Sequence, residues 1–338
     1  MHEYSMITDA RALQPDFVPT ELHHREGEID ALTTTLRPIA DGFKGDDAFI
    51  FGPSGAGKTT IARYVVDLLQ QENLDTTTGY VNAMSNSTRA DALYALVRDA
   101  GLAYDLRKEG SHASRFLSRI KDVDGQFIAI VDEVHVLEDY DTLQSLWELP
   151  NVTLLMVCLD EEELFAEFDQ QLQSRFGSAR KVRLDRYGTD EMTSILRGRV
   201  KAGLRPGTLD EETLAYIADL AAGDARAGIA LLRSAVDRAL VDERDEITKA
   251  LVDETEADAR ADMEAHRVRE LDTDKRLLYE LVQEAGEVGA GTLHARYEDR
   301  AQDPVARSTR RKYLGRLSEY GLIDERGAGR GKQYIQPT

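Results

Sequence analysis

The sequence is poor in cysteine and tryptophan, with one residue of each, and it contains no long apolar run. A single cysteine, Cys158, excludes an intramolecular disulfide and a cysteine-based metal cluster. Spanning a bilayer takes about 18–20 apolar residues, and the N-terminal stretch MHEYSMITDARALQ lacks the basic-then-apolar order of a secretion signal. We therefore expect a cytoplasmic protein with no membrane partner.

Positive charge is also scarce, because 42 Lys and Arg residues face 62 Asp and Glu, for a formal net charge of −20. Residues 291–338 are the exception, with a local balance of +4 that leaves −24 on the rest of the chain. The acidic surface and the preference for Arg over Lys are consistent with a protein adapted to high salt. An acidic body repels other polyanions, so contact with nucleic acid is expected at the basic end.

Alternating strand and helix patterns occupy residues 1–188. Apolar strands are predicted at AFIF, GYVNA, FIAIVD and VTLLMVCL, with a weaker one at ARKVRL and helices between them. This alternation predicts an α/β domain with a parallel sheet. From residue 189 to 262 only amphipathic helices are predicted, one of them in TLDEETLAYIADLAAG with Thr208 and Glu211 as a capping box. At 338 residues the chain has room for two or three domains.

Residues 263–338 have the pattern of a winged helix-turn-helix. DKRLLYELVQEAG, GTLHARYEDR and STRRKYLGRLSEYG predict three helices, and LIDERGAGRGKQYI predicts two short strands around a glycine-rich turn. The third helix places its apolar residues toward the core, which leaves a basic face suited to the major groove of double-stranded DNA. The turn would present further cations to the phosphates or the minor groove. The predicted DNA contacts are Arg311, Lys312, Arg316, Arg330 and Lys332.

The stretch GPSGAGKT, Gly52 to Thr59, matches G-x-x-x-x-G-K-[ST] between an apolar strand and an amphipathic helix. In such a loop, backbone N–H groups and a helix N-terminus surround phosphate oxygens. Lys58 is predicted to contact the β- and γ-phosphates, and the Thr59 hydroxyl to bind Mg²⁺. No N-K-x-D guanine signature occurs, so ATP or ADP is the expected nucleotide. The predicted nucleotide contacts are Gly52, Pro53, Ser54, Gly55, Ala56, Gly57, Lys58, Thr59 and Thr60.

The stretch FIAIVDEVHVL predicts the second half of the site, because an apolar strand ends there in two carboxylates. Asp132 is the expected Mg²⁺ ligand. Glu133 is the expected base that polarises an attacking water. We interpret His135, Trp147 and Cys158 as packing residues without a chemical role.

These motifs resemble the AAA+ ATPases, and among them the archaeal origin-recognition and cell-division-control initiator family. DFVPTELHHREGEIDAL is similar to the family's N-terminal box, and GDARAGIALLRSA to its sensor-2 helix. The resemblance implies that Arg226 reaches the γ-phosphate from a lid, and that Arg175 is an arginine finger completing a neighbouring subunit's site. It also implies adenine contacts by Val18, Pro19, Leu22 and Arg25.

One position departs from the family pattern. VTLLMVCLDEEEL is similar to the sensor-1 strand, where a polar residue orients the water near the γ-phosphate, but Leu159 occupies that position. A leucine side chain cannot form a hydrogen bond to water. We therefore expect nucleotide binding with slow ATP hydrolysis.

The resemblance implies an AAA+ P-loop core at 1–188, a helical lid at 189–262 and a winged helix at 263–338. It implies a replication initiator that binds origin DNA as an ATP/ADP switch and recruits a replicative helicase. An alternative stays open, in which a regulatory nucleotide switch or transcription regulator uses its winged helix for protein or for non-origin DNA. The finger position of Arg175 implies self-association or assembly with a related AAA+ subunit.

Overall fold

The structure is a computed structural model that describes residues 6–19, 22–72, 75–107, 112–327 and 329–337, with the side chain of Arg330 outside that description. It separates into two compact units, Met1–Met263 and Glu264–Thr338. None of the helices in the described ranges combines the length and apolar character that a bilayer crossing requires.

A five-stranded parallel sheet organises the first unit. Its strands are β1 (Ala48–Phe51), β2 (Thr76–Asn82), β3 (Gln126–Asp132), β4 (Val152–Cys158) and β5 (Arg180–Arg183). All five predicted strands are confirmed, and they lie in the order β2-β3-β4-β1-β5. Because β4 lies between β1 and β3, the carboxyl ends of these three strands are adjacent. Every residue of β1 and β4 is buried, as expected for a sheet covered on both faces.

Seven helices connect or cover these strands. They are α1 (Glu26–Ala40), α2 (Lys58–Glu72), α3 (Arg89–Asp99), α4 (Ala113–Lys121), α5 (Asp141–Trp147), α6 (Glu161–Glu167) and α7 (Gln170–Phe176). Apolar residues spaced four apart, such as Ile61 and Val65 of α2, pack against sheet residues that include Ile50 and Ile128. This packing holds α2, the helix that follows the glycine-rich loop, against the sheet.

Four helices follow the sheet: α8 (Thr189–Gly203), α9 (Glu211–Leu220), α10 (Ala225–Val241) and α11 (Lys249–Arg269). Leu196, Ile217, Leu232 and Val236 belong to their common apolar core, so the predicted helical section is confirmed. The predicted capping box of α9 is wrong. The side chain of Asp210 accepts from the Thr213 amide instead, since a carboxylate next to the first turn is a strong cap.

The second unit contains α12 (Thr273–Ala285), α13 (Ala290–Arg300) and α14 (Arg307–Glu319), followed by β7 (Asp324–Arg326) and β8 (Gln333–Ile335). These elements confirm the three predicted helices and two strands. A third strand, β6 (Glu287–Gly289), was not predicted, because three residues are too few to establish an alternating pattern. The strands form an antiparallel sheet in the order β6-β8-β7.

Candidate functional site

The glycine-rich loop joins β1 to α2 at the carboxyl edge of the sheet. The side chain of Lys58, at the first position of α2, is almost completely buried. Its Nζ donates to the carbonyl oxygens of Gly52 and Pro53 at 2.8 and 3.0 Å. Burial lowers the pKa of this lysine, because the charged form loses hydration. The loop therefore holds a desolvated cation at its own base, where an anion would interact strongly with it.

Asp132, at the end of β3, lies against the start of α2. Its Oδ2 accepts from the Thr59 hydroxyl at 2.7 Å and from the Tyr80 hydroxyl at 3.0 Å. Burial raises the pKa of Asp132, and the charge of Glu133 raises it further, while the two hydroxyl hydrogen bonds lower it. The structure thus brings together the two residues predicted as metal ligands. Carboxylate and hydroxyl oxygens are the hard donors that Mg²⁺ prefers, so the residues present fit this ion.

Glu133 follows Asp132 and has a left-handed backbone conformation, with φ of 54°. Its Oε2 lies 3.7 Å from Nδ1 of His135, and the same nitrogen lies 3.4 Å from Sγ of Cys158. Burial raises the pKa of the Cys158 thiol to about 12, so this sulfur is a neutral packing group rather than a nucleophile. His135 was interpreted from the sequence as packing, but it contacts the predicted base.

Leu159 follows β4, and the strand order places it between the loop after β1 and the two carboxylates at the end of β3. Its carbonyl oxygen accepts from the Gly52 amide at 3.3 Å. The leucine side chain has no polar atom, so this residue can form hydrogen bonds only through its backbone. Leu159, which replaces the polar residue of the family's sensor-1 position, therefore lies at the same carboxyl edge of the sheet as the other site residues.

The start of α10 approaches the loop from the helical section. Nη1 of Arg226 lies 3.3 Å from Oγ of Ser54, as donor to acceptor. The Asp224 carboxylate caps α10 by accepting from the amides of Arg226 and Ala227. The amide of Ala225 donates to the carbonyl oxygen of Gly55 at 3.1 Å. Arg226 is thus held at the loop by its own side chain and by the backbone around it.

Arg25, just before α1, contacts the other side of the loop. Its Nη2 donates to the carbonyl oxygens of Asp185 and Ala56 at 2.6 and 3.3 Å. The guanidinium carbon lies 4.3 Å from the centre of the Tyr187 ring, a cation–π contact. Sequence reasoning missed Tyr187, because one tyrosine in a loop carries no distinctive spacing. The other predicted adenine contacts, Val18, Pro19 and Leu22, are partly exposed.

Arg175, in α7, contacts α5. Its guanidinium lies 4.8 Å from the centre of the Trp147 ring, and Nη2 lies 3.5 Å from Oε1 of Glu148. In the described part of the chain, neither of these partners belongs to the phosphate loop. Within this chain, therefore, Arg175 is not part of the site around Lys58.

The basic residues predicted to contact DNA differ in exposure. Arg311 and Lys312 are exposed on α14. Arg316 departs from the expected basic face, because its side chain is only 18% exposed and pairs with Glu319 one turn later at 2.8 Å. Lys332 pairs with Glu325, a hydrogen bond that raises the pKa of the lysine. Arg310, which was not predicted, is buried and donates to the carbonyl oxygen of His294.

Two protein families match this chain by sequence: the AAA domain over residues 48–166 and the Cdc6 AAA+ ATPase-type lid domain over residues 193–257. ORC1-type DNA replication protein 9 of Halobacterium salinarum is 36% identical over 330 residues, covering 97% of this chain and 93% of the relative. ORC1-type DNA replication protein 1 of the same organism is 35% identical over 300 residues, covering 88% and 97%.

Among solved structures, the Aeropyrum pernix ORC1 protein in complex with DNA has a TM-score of 0.73 to this chain. The match covers 99% of this chain and 94% of the other, at 24% identity. At that level of identity, the likeness establishes the fold.

Proposed function

Because the chain belongs to the ORC1-type and Cdc6 family of AAA+ replication proteins, we propose that it is an ATP-binding initiator that engages origin DNA. One observation carries this proposal. A buried lysine, a Thr59–Asp132 pair and Arg226 of the helical section converge on one glycine-rich loop. The relatives' names, which refer to DNA replication, support the biological role.

In this proposal, the loop amides and Lys58 bind the phosphates of ATP or ADP. The Lys58 ammonium, which donates to the carbonyl oxygens of Gly52 and Pro53 in this structure, would donate to a phosphate oxygen instead. Thr59 and Asp132 would hold Mg²⁺, which would neutralise phosphate charge when bound. Val18, Pro19, Leu22 and Arg25 would face the adenine base. The loop residues from Gly52 to Thr60 supply the remaining contacts.

We propose slow hydrolysis by this same site. Glu133 would accept a proton from the water that attacks the γ-phosphate. Arg226 would stabilise the charge on that phosphate from the lid. At Leu159 no side chain can orient the water, so its position depends on Glu133 and on backbone groups. Loss of an orienting group lowers the fraction of bound water that is aligned for attack, and turnover falls with it.

The nucleotide would act as a switch, because it contacts residues on both the core and the lid. A γ-phosphate can change the balance between two conformations only by interacting better with one of them. Arg226 provides that difference, since ADP offers it no γ-phosphate. ATP would therefore favour the arrangement in which α10 lies against the loop.

We propose that residues 263–338, which include the second unit Glu264–Thr338, form a winged helix that contacts DNA. Arg311 and Lys312 are exposed on α14, which would enter the major groove. Arg316 and Lys332 would exchange carboxylate partners for phosphates on binding, and Arg330 in the turn would add a further cation. Because the remaining chain is strongly acidic, this unit would orient the protein on the duplex as well as hold it.

Arg175 remains a proposed finger for assembly with a second AAA+ subunit. Its contacts with Trp147 and Glu148 would have to open for the guanidinium to reach a neighbour's nucleotide. Mixing Arg175→Ala protein with Lys58→Ala protein should then restore some hydrolysis at mixed interfaces. Normal activity of Arg175→Ala alone would contradict the role. Recruitment of a replicative helicase is the further step that an initiator in this family would serve.

Calorimetry with ATP and Mg²⁺ tests the proposed site. Lys58→Ala should abolish measurable binding, whereas Glu133→Gln should bind ATP and lose turnover, because only the base is removed. Lys121→Ala is the control, since this lysine is exposed at the end of α4. Equal ATP affinity in Lys58→Ala and wild type would refute the site. Genomic footprints with ATP and with ADP would then distinguish origin binding from regulation elsewhere.

A further inference from the structure

The residues before α1 form a strap along the helical section. We define the N-terminal strap as residues 6–17, which include a 3-10 helix at Ala10–Leu13. The amides of Thr8 and Asp9 donate to the carbonyl oxygen of Gly203 at 2.8 and 3.2 Å. The amide of Arg205 donates to the carbonyl oxygen of Met6 at 2.9 Å. The start of the strap is thus tied by backbone hydrogen bonds to the end of α8.

One buried arginine of α8 holds the rest of the strap. Nη1 of Arg199 donates to the carbonyl oxygens of Ala12 and Gln14 at 2.9 and 2.7 Å, and Nη2 donates to that of Phe17 at 3.0 Å. The guanidinium also lies 5.0 Å from the centre of the Phe17 ring. Burial lowers the pKa of Arg199 to about 10, which still leaves it charged at neutral pH. A buried cation with three backbone acceptors fixes the course of those carbonyls closely.

The strap leads directly to the residues proposed to face adenine. Val18 and Pro19 follow Phe17, and Leu22 packs against the apolar core that includes the phosphate-loop residue Ala56. A second buried arginine, Arg25, then donates to the carbonyl oxygen of Ala56. We call Val18, Pro19 and Leu22 the adenine wall. Along the chain, these residues lie between Phe17, which Arg199 holds, and the buried Arg25. Arg199 anchors the lid side of the adenine wall, and Arg25 anchors its phosphate-loop side.

We propose that Arg199 is a positioning residue for nucleotide recognition. It holds the strap so that Val18, Pro19 and Leu22 are already in place when the base arrives. This inference rests on the proposed ATP site and adds a determinant of base selectivity. Ordering backbone residues costs conformational entropy, so binding of the base is weaker if Val18, Pro19 and Leu22 must be ordered during binding. Recognition of the phosphates by the loop does not require the strap.

The test separates base binding from phosphate binding. Arg199→Met keeps an apolar stem of similar length and removes the three hydrogen bonds to the strap. Calorimetry with ATP, GTP and inorganic tripolyphosphate, each with Mg²⁺, should show about tenfold weaker ATP binding. Tripolyphosphate affinity should stay within about twofold of wild type, and the preference for ATP over GTP should fall by about the same factor as ATP affinity. Arg197→Met is the matched control, because this arginine of α8 is exposed and pairs with Glu211.

A second variant tests the same idea without changing a charge. A Cβ at Gly203 would lie 3.0 Å from Cβ of Ala12 and 3.0 Å from the carbonyl oxygen of Asp9. Gly203→Ala should therefore displace the strap while Arg199 is intact, and should lower the ATP-to-tripolyphosphate affinity ratio in the same direction. If Arg199→Met does not fold, the affinity ratio of Gly203→Ala tests the positioning role of the strap.

An unchanged ATP-to-tripolyphosphate ratio in a folded variant would overturn the positioning role. Equal loss of both ligands would also overturn it, since that pattern indicates general damage to the site. If wild-type protein fails to bind ATP, the proposed function itself is wrong. The two failures are therefore distinguishable.

Discussion

Replacing Gly55 with alanine tests the contact between the phosphate loop and the helical section. Gly55 has φ of +76°, and a Cβ added there would lie 1.9 Å from Oδ1 of Asp224. That carboxylate oxygen is the cap of α10, accepting from the amide of Arg226 at 2.9 Å and from that of Ala227 at 3.2 Å. The carboxylate can move away from the new methyl group only by giving up these hydrogen bonds.

The expected cost has two parts. Alanine in the left-handed region costs about 1 kcal/mol relative to glycine. Loss of a side-chain helix cap costs about 1 kcal/mol more. Gly55→Ala should therefore lower the free energy of unfolding of the first unit by about 2 kcal/mol. ATP affinity should fall by at least about tenfold, because Arg226 loses the cap that orients its helix start.

Urea unfolding followed by the fluorescence of Trp147 is the appropriate assay, because the only tryptophan of the chain lies in the first unit. Gly101→Ala is a matched control, since Gly101 has φ of +72° and nothing within 4 Å of its added Cβ. It should lose only the backbone contribution, about 1 kcal/mol, and bind ATP normally. Equal stability loss in both variants, with ATP binding intact in both, would refute the reasoning.

Four further predictions concern the site and the second unit. Leu159→Asn should raise ATP turnover by about tenfold, equivalent to about 1.4 kcal/mol of barrier, in a phosphate-release assay; brisk turnover by wild type would show that another group positions the water. Arg311→Ala combined with Lys312→Ala should weaken origin DNA binding across a KCl series. Arg300→Ala is the control and should bind normally, because the guanidinium of Arg300 pairs with Glu284. Ordinary counterion release lowers the logarithm of DNA affinity by about 0.9 per log unit of salt for each neutralised phosphate. Because nearby carboxylates can take up cations on binding, the DNA affinity of wild type should depend only weakly on salt, or should rise with it. Finally, burial lowers the pKa of His294 from 6.5 to about 4. Between pH 4 and pH 6.5 the unfolded chain then binds more protons at this histidine than the folded protein does. The free energy of unfolding should therefore decrease as the pH falls from about 6.5 to about 4, by at most about 3 kcal/mol. Above about pH 6.5 this effect is absent. Denaturation at pH 7 and 4.5 should show that His294→Gln removes this part of the pH dependence.

Local patterns were sufficient for the phosphate loop and for most elements. The strand before Gly52 and the helix from Lys58 follow from residues close together in sequence, because apolar periodicity and glycine placement act over a few residues. The two carboxylates at the end of β3 were predicted for the same reason. The cap of α9 was not predicted, because several nearby side chains compete for one cap position. The strand β6 was not predicted, because three residues are too few to show an alternating pattern.

The sequence by itself determined where the glycine-rich loop, the carboxylate pair and the basic C-terminal segment lie, and the proposed function rests on these groups. Only the tertiary structure decided which distant side chains join them. The order of the sheet inserts β4 between β1 and β3, and so places Leu159 at the edge shared by the loop and Asp132. Arg199 and Arg197 are two residues apart on one helix, yet one is buried under the strap and the other is exposed. Helical spacing puts Arg199 on the same face of α8 as Met192 and Leu196, but only packing between segments far apart in the chain shows that the strap covers it.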